Sequence, residues 1–342
     1  MKKSSLVLRC NIYRVISIVL LLFVLGVFPV ESNAEATYIR VGTFNIANFG
    51  ATNEYERSLI NLVNIIVKMN ADLIAVQEVQ PNELGYEQVV RLTALLNKAA
   101  VFYGTNPYEN IIPEDHTGDE QTAFLWRAPV SLESEVTLLE HDSDPDGDEI
   151  PTFQRVPHVA LFQAGNYDFY VVNCHLYTKL TGVSSEGRGA EYDALVAWLQ
   201  DLANEQEKDA IVLGDFNRFL YGKGDWDRLM ITNHSNFFRF PLLEAIKNAI
   251  STFDPMKHDA PSDTYSTTTS KSKRIYDQIL ISQGSYSEFT SSPQWDSDIG
   301  IVVFDNDSAF EWFIDSWQNA IKMLSYHRPV WIRIRTDLQD DD

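Results

Sequence analysis

The chain divides its apolar residues into short runs, and helical faces separate several of them. "YIRVGTFNI" (38–46), "ADLIAVQEV" (71–79), "QTAFLWR" (121–127), "VPHVALF" (156–162), "YDFYVVNCHL" (167–176), "AIVLGDF" (210–216), "YDQILIS" (276–282) and "PVWIRIR" (329–335) each read as a strand. Between them Leu59, Leu62, Val63 and Ile66 recur at helical spacing. So do Val89, Leu92 and Leu96, and again Leu195, Trp198, Leu199 and Leu202. No short repeat and no Pro/Ser linker divides the series. The pattern predicts one α/β domain with two sheets and helices outside them.

The N-terminus is predicted to stand apart from that domain. Lys2, Lys3, Arg9 and Arg14 precede an apolar run from Val15 to Phe28, and "SNAEA" (32–36) offers small residues for cleavage. This order is a secretory signal peptide over residues 1–34. A membrane anchor is the competing reading, but a span needs about 20 apolar residues. The domain then covers 35–336, an acidic tail covers 337–342, and the protein is expected to be secreted or periplasmic. Losing four basic residues and Glu31 with the leader moves the net charge from −21 to −24. So acidic a surface repels nucleic acid and anionic membranes at long range. A phosphate-bearing substrate must therefore be held locally, by a metal or a few placed Arg and Lys. Cys174 is the sole cysteine outside the leader, so the fold rests on its core and not on a disulfide.

Polar residues gather at the strand ends: Asn45, Gln77 and Glu78, Asn173 and His175, Asp215 and Asn217, Asp277, and His327. One Asn or Asp at a strand end is ordinarily a turn or cap residue. Six such places in one domain ask for a common cause. Burying an unpaired carboxylate costs several kcal/mol, and a shared cation and hydrogen-bond network would offset that.

The pooled pattern resembles the endonuclease/exonuclease/phosphatase family, nearest to its pancreatic-type deoxyribonuclease branch. The stretches that carry the resemblance are "FNIANFG" (44–50), "LIAVQEV" (73–79), "DEQTAFLWR" (119–127), "QRVPHVALF" (154–162), "NCHLYT" (173–178), "LGDFN" (213–217), "YDQI" (276–279) and "SYHRPV" (325–330). Each is weak alone; their order and spacing are not. The resemblance implies a four-layer α/β/β/α sandwich, two packed, mostly antiparallel sheets flanked by helices, with a site where strand ends meet. It implies a secreted, metal-dependent phosphoric ester hydrolase, foremost an endonuclease cutting DNA by in-line attack of water. By the same match His175 and His327 are catalytic, Glu120 partners His175, and Asp277 orients His327. Asp215 orients or activates the water, or binds a metal. Asn217 donates to the phosphate and Arg155 grips it. Glu78 and Asn45 hold Mg²⁺ or Mn²⁺. Tyr326 stands where the family has Asp, and its phenol becomes a substrate contact.

Some features depart from the branch or stand outside it. The branch's groove-reading Arg and Tyr fall nearest Gln80 and Gly118, and its disulfides are absent. A phosphodiesterase or phosphatase acting on a lipid headgroup, inositol phosphate or nucleotide is therefore the alternative. Tyr326 raises a third reading, a catalytically degraded binding protein on the same fold. In each case the expected partner is a phosphate ester, nucleic acid foremost, met by a monomer without a stable protein partner. "DSDPDGDEI" (142–150) is similar to the start of a calcium loop, with Asp142, Asp144 and Asp146 in register but Phe153 at the twelfth position. A variable turn is the other reading there. "KSKR" (271–274) is either phosphate-facing or a solvated turn. "FEWFIDSW" (310–317) reads as a core helix first.

Overall fold

The computed structural model describes residues 38–51, 57–115, 119–139, 153–177, 184–217, 238–250, 260, 262–269, 274–305 and 323–339. The leader, Gly118, the calcium-type loop at Asp142, Asp144 and Asp146, Lys271 and Lys273 of the basic patch, the 310–317 run and the end of the tail lie outside these residues. No helix among the described residues is long and apolar enough to cross a membrane.

In chain order the strands are β1 (Tyr38–Phe49), β2 (Leu73–Val79), β3 (Tyr108–Ile111), β4 (Gln121–Arg127), β5 (Ser131–Leu132), β6 (Thr137–Leu138), β7 (His158–Ala164), β8 (Tyr167–His175), β9 (Ala210–Asp215), β10 (Phe238–Arg239), β11 (Asp277–Ser282), β12 (Ile299–Ile301) and β13 (Val330–Arg335). The helices are α1 (Leu59–Met69), α2 (Glu83–Tyr103), α3 (Ser184–Leu202) and α4 (Pro241–Ala249). One sheet runs β12-β13-β1-β2-β4-β3; the other runs β10-β11-β9-β8-β7-β5, with β6 also on β7. Each sheet contains one parallel pair, β1–β2 and β8–β9, and every other pairing is antiparallel. A parallel pair needs a long crossover. Helix α1 supplies it in the first sheet and α3 in the second. The four-layer sandwich read from the sequence is the architecture found.

The two sheets pack through one core. Phe124 of the first sheet meets Phe162 of the second at 5.6 Å between ring centres, and Val41, Leu73, Val171, Leu213 and Ile332 fill the same layer. Burying each such side chain stabilises the fold by about 1.5–3 kcal/mol. A second core lies between the first sheet and its helices, with Phe44, Ile66, Val76 and Leu92 in it. Two carboxamides bridge the sheets inside this apolar surround. Gln77 donates to Asn173 at 2.7 Å, and Asn173 donates back to the carbonyls of Val76 and Ala123. These two strand-end polar residues thus tie sheet to sheet.

Gly214 is where the second sheet admits the site. Its φ is +147°, and a Cβ there would lie 1.8 Å from the carbonyl oxygen of Cys174. Only glycine lets β9 lie this close to β8 just before Asp215.

Candidate active site

Both parallel pairs end at the same edge of the sandwich, and their last residues face one another. The backbone is bent to achieve this. Register shifts interrupt β1–β2 between Asn45 and Phe49, and β2–β4 between Val76 and Val79. Ala47, Asn48, Glu78 and Asn217 all hold positive φ, at 52°, 56°, 58° and 45°. Each such non-glycine conformation costs about 1–3 kcal/mol and persists only where surroundings over-determine it. Arg57 supplies part of that constraint: its Nε and Nη2 both donate to the carbonyl of Ala47. Ser325 supplies more, donating to the carbonyl of Asn45 at 2.7 Å and accepting the backbone N–H of His327 at 2.9 Å.

Asp215 is the centre of the arrangement. Its Oδ2 lies 3.5 Å from Nε2 of His175 and 3.4 Å from Nε2 of His327. Each imidazole is held from behind by a second carboxylate. Nδ1 of His175 meets Glu120 at 2.6 Å, and Nδ1 of His327 meets Asp277 at 2.8 Å. A carboxylate only accepts, so Nδ1 carries the proton in both rings and Nε2 is directed at Asp215. Asn45 donates from Nδ2 to Glu78 at 2.8 Å and to Asp215 at 3.0 Å, so one amide group spans the two carboxylates. Its own oxygen accepts from the Ala47 N–H. Glu78 also accepts from the Asn48 N–H and from the Tyr326 phenol, at 2.9 and 3.0 Å. Asn217 gives its backbone N–H to Asp215 and its side-chain amide to the carbonyl of Leu176.

Arg155 reaches the same place from the loop before β7. Its Nη2 donates to Glu120 at 3.1 Å, while Nε and Nη1 are buried with no hydrogen-bond acceptor among the described residues. Nε also lies 3.9 Å from the exposed carboxylate of Asp119. A guanidinium whose Nε and Nη1 are buried without hydrogen bonds beside a cluster of histidines suits an anion.

The electrostatics follow from burial against charge. Burial works against the imidazolium of His327, but the charges of Asp277 and Asp215 outweigh it and push its pKa up to about 9. His175 moves the same way: burial opposes it, and the Glu120 hydrogen bond and the charge of Asp215 prevail. Burial pushes Asp277 up to about 6, with His327 pulling against it. Burial, then the charges of Glu78 and Asp215, drives the Tyr326 phenol upward, so it stays a neutral donor. The linkage has a definite sign. A histidine whose pKa rises from about 6.5 to about 9 on folding gives stability that is whole below pH ~6.5 and lost as pH rises through 9. Metal-free protein in EDTA should therefore lose denaturation free energy across that window, and His327→Gln should flatten the slope. An unchanged slope would put the titration on another group.

Ligand atoms of Glu78, His175 and Asp215 lie within 4.8 Å of one another, as do those of Asp215, Asp277 and His327. The two carboxylates spanned by Asn45 are hard oxygen donors, and the amide N–H between them marks where positive charge is drawn. That donor set fits Mg²⁺ or Mn²⁺, which take carboxylates and keep several waters.

Three of the residues that shape this site escape a reading by motif: Arg57, Ser325 and Glu191. Glu191 carried a usable signal. It lies four residues before Leu195, on the apolar stripe of α3, where a carboxylate has no reason to sit unless something buried answers it.

The profile of the Endonuclease/Exonuclease/phosphatase family matches residues 42–303. No curated protein sequence matches. Among solved structures, D. rerio TDP2 complexed with a single-strand DNA product is similar at TM-score 0.54 and 13% identity, over 88% of this chain and 100% of that one. An endonuclease/exonuclease/phosphatase family protein from Bacteroides thetaiotaomicron aligns at 0.53 and 15%, over 89% and 96%. The human Nocturnin catalytic domain with bound sulfate aligns at 0.51 and 14%, over 87% and 94%.

Proposed function

Since the chain belongs to the endonuclease/exonuclease/phosphatase family, we propose that it is a divalent-metal-dependent phosphodiester hydrolase, with DNA as its first-choice substrate in the manner of the pancreatic-type branch. One observation carries the reading: two histidines, each backed by its own carboxylate, aim Nε2 at the same oxygen of Asp215. The DNA product held by the TDP2 relative supports a nucleic-acid substrate. We further propose that residues 1–34 direct export and that the domain acts as a monomer.

In this account Glu78 and Asp215 are the ligands offered to Mg²⁺ or Mn²⁺, with Asn45 beside them. When bound, the cation polarises the phosphoryl oxygen and offsets charge that develops on it. Arg155 holds a non-bridging oxygen through Nη1, and Asn217 donates to another. Asp215 orients the attacking water in line with the leaving oxygen. The two imidazoles manage protons at Nε2, one accepting from the water and one donating to the leaving group. Glu120 and Asp277 hold the tautomer that leaves Nε2 available.

A second reading has an observation of its own. A cleft of about 820 Å³ is lined by Gln80, Gln121 and Asp115 among others, close in sequence to the site residues Glu78 and Glu120, with no Lys or Arg among the described residues of its wall. Such a wall suits an uncharged or cationic group better than a second stretch of DNA backbone. This favours a small phosphodiester such as a lipid headgroup. A panel of plasmid DNA, RNA, sphingomyelin and bis-p-nitrophenyl phosphate, with Mg²⁺, Mn²⁺, Ca²⁺ and EDTA, separates the readings. Nicking of plasmid in Mg²⁺ supports the first, and turnover of sphingomyelin alone supports the second. Retained ligand binding with no turnover of anything would favour the degraded binding protein instead.

If DNA is the substrate, its binding rests on few phosphate contacts, because the chain is so acidic. The slope of log affinity against log salt is about −0.9 per phosphate neutralised, so a slope no steeper than roughly −3 is expected. A slope near −8 would mean a basic groove that this chain's composition does not provide.

A further inference from the structure

The loop that carries Arg155 and the segment that follows His175 at the end of β8 are joined through one buried side chain on α3. Glu191 is 1% exposed. Its Oε1 accepts the backbone N–H of Gln154 at 2.9 Å, and its Oε2 accepts that of Tyr177 at 2.8 Å. Gln154 immediately precedes Arg155, and Tyr177 follows His175 by two residues. The next residue on the helix adds a third tie. The phenol of Tyr192 donates to the carbonyl of Phe216 at 3.0 Å, between Asp215 and Asn217. Asn217 in turn donates to Leu176 at 2.8 Å. One turn of α3 therefore grips the segment before β7 and the ends of β8 and β9.

We propose that Glu191 is a positioning residue, whose one carboxylate fixes the Arg155 loop against the end of β8 so that the guanidinium and His175 meet the same phosphate. The inference rests on the hydrolase reading above. A leucine would satisfy the helix stripe, and burying a carboxylate is costly unless it is answered. Burial pushes the Glu191 carboxyl up, while the two backbone N–H groups and the charge of Arg155 pull it back. Both oxygens are spent on backbone donors from segments that do not otherwise neighbour each other in sequence. A carboxylate offers each donor its own oxygen and brings no N–H or O–H that must be satisfied in turn. Misplacing a catalytic group by about 1 Å can cost 10²-fold in rate.

Glu191→Gln keeps the shape and loses one of the two acceptors, since its NH₂ must face a backbone N–H. The expected result is a 10- to 100-fold fall in kcat on bis-p-nitrophenyl phosphate, and about tenfold weaker binding of inorganic phosphate by calorimetry. In an Arg155→Ala background the same change should alter phosphate affinity by less than twofold, because Glu191 acts through Arg155. Unchanged phosphate affinity in Glu191→Gln, or equal weakening in both backgrounds, overturns the proposal. Tyr192→Phe guards against a folding failure: it deletes one hydroxyl from the same turn and should lower kcat several-fold with KM unchanged. An unchanged kcat in that variant also counts against the clamp. Should wild type hydrolyse no ester, the hydrolase reading fails, and the phosphate titrations still decide the role of Glu191.

Discussion

Asp215→Asn is expected to lower kcat by roughly 10⁴, the upper end of what one positioned acid–base group supplies. The substitution is nearly isosteric, so the backbone N–H of Asn217 keeps an acceptor and the fold should persist by circular dichroism. What changes is the centre of the charge pattern. Asp215 accepts from Asn45 and from Asn217, and both imidazoles face its Oδ2. An amide there either presents N–H groups to other donors or offers a single neutral oxygen. The attacking water loses its orienting charge, and the cation loses one of its two carboxylates. Steady-state kinetics at saturating Mg²⁺ check this. A loss of less than tenfold would remove Asp215 from the chemistry.

The second large effect concerns the histidines together. His175→Ala and His327→Gln should each cost roughly 10²–10⁴ in kcat. Glutamine suits position 327 because it leaves Asp277 a donor, whereas alanine would strand a buried carboxylate at a cost of about 3–5 kcal/mol. On this reading the two rings serve one transition state, since Nε2 of each lies 3.4–3.5 Å from the same Asp215 oxygen. The double variant should therefore lose much less than the product of the single losses. Strict multiplication would mean that the rings act in independent steps.

The long strands were legible because burial on one or both faces forces an apolar run. "QTAFLWR" is β4 residue for residue, and β2, β8, β9 and β11 fall within one or two residues of the runs that predict them. Strand β1 is different. Its pattern predicts an end at Ile46, and the strand continues to Phe49 because Ala47 and Asn48 adopt positive φ and carry the chain through a register shift. No alternation encodes that. Strands β3, β5, β6, β10 and β12 are two to four residues long and too short for a period to show, and α4 is only nine residues. At the site, the residues named from motifs are brought to one edge of the sandwich. The supports behind them were less visible. Ser325 and Arg57 act on backbone carbonyls, and a backbone carbonyl has no letter in the sequence. Gln77 and Asn173 share their strands with Glu78 and His175 and are polar like them. Alternation turns Gln77 away from Glu78, while Asn173 lies on the same face of β8 as His175 but two residues deeper, where it meets Gln77 and bonds sheet to sheet.

Tyr326 shows how one departure changes the local charge. Its phenol donates to Glu78 where a carboxylate would have faced it, so the cluster carries one negative charge fewer. Tyr326→Asp should tighten Mg²⁺ binding. If activity falls as the metal tightens, the phenol has a part in orienting the substrate.

Metal-dependent phosphodiester hydrolysis by this cluster is what every role proposed above depends on. Its most direct test is the rate of bis-p-nitrophenyl phosphate hydrolysis by wild type and Asp215→Asn, each measured in Mg²⁺, then in EDTA, then with Mg²⁺ restored. Wild-type turnover should vanish in EDTA and return with the metal, beside a variant near background in all three conditions. Turnover that persists in EDTA, or that Asp215→Asn sustains at the wild-type rate, would contradict it.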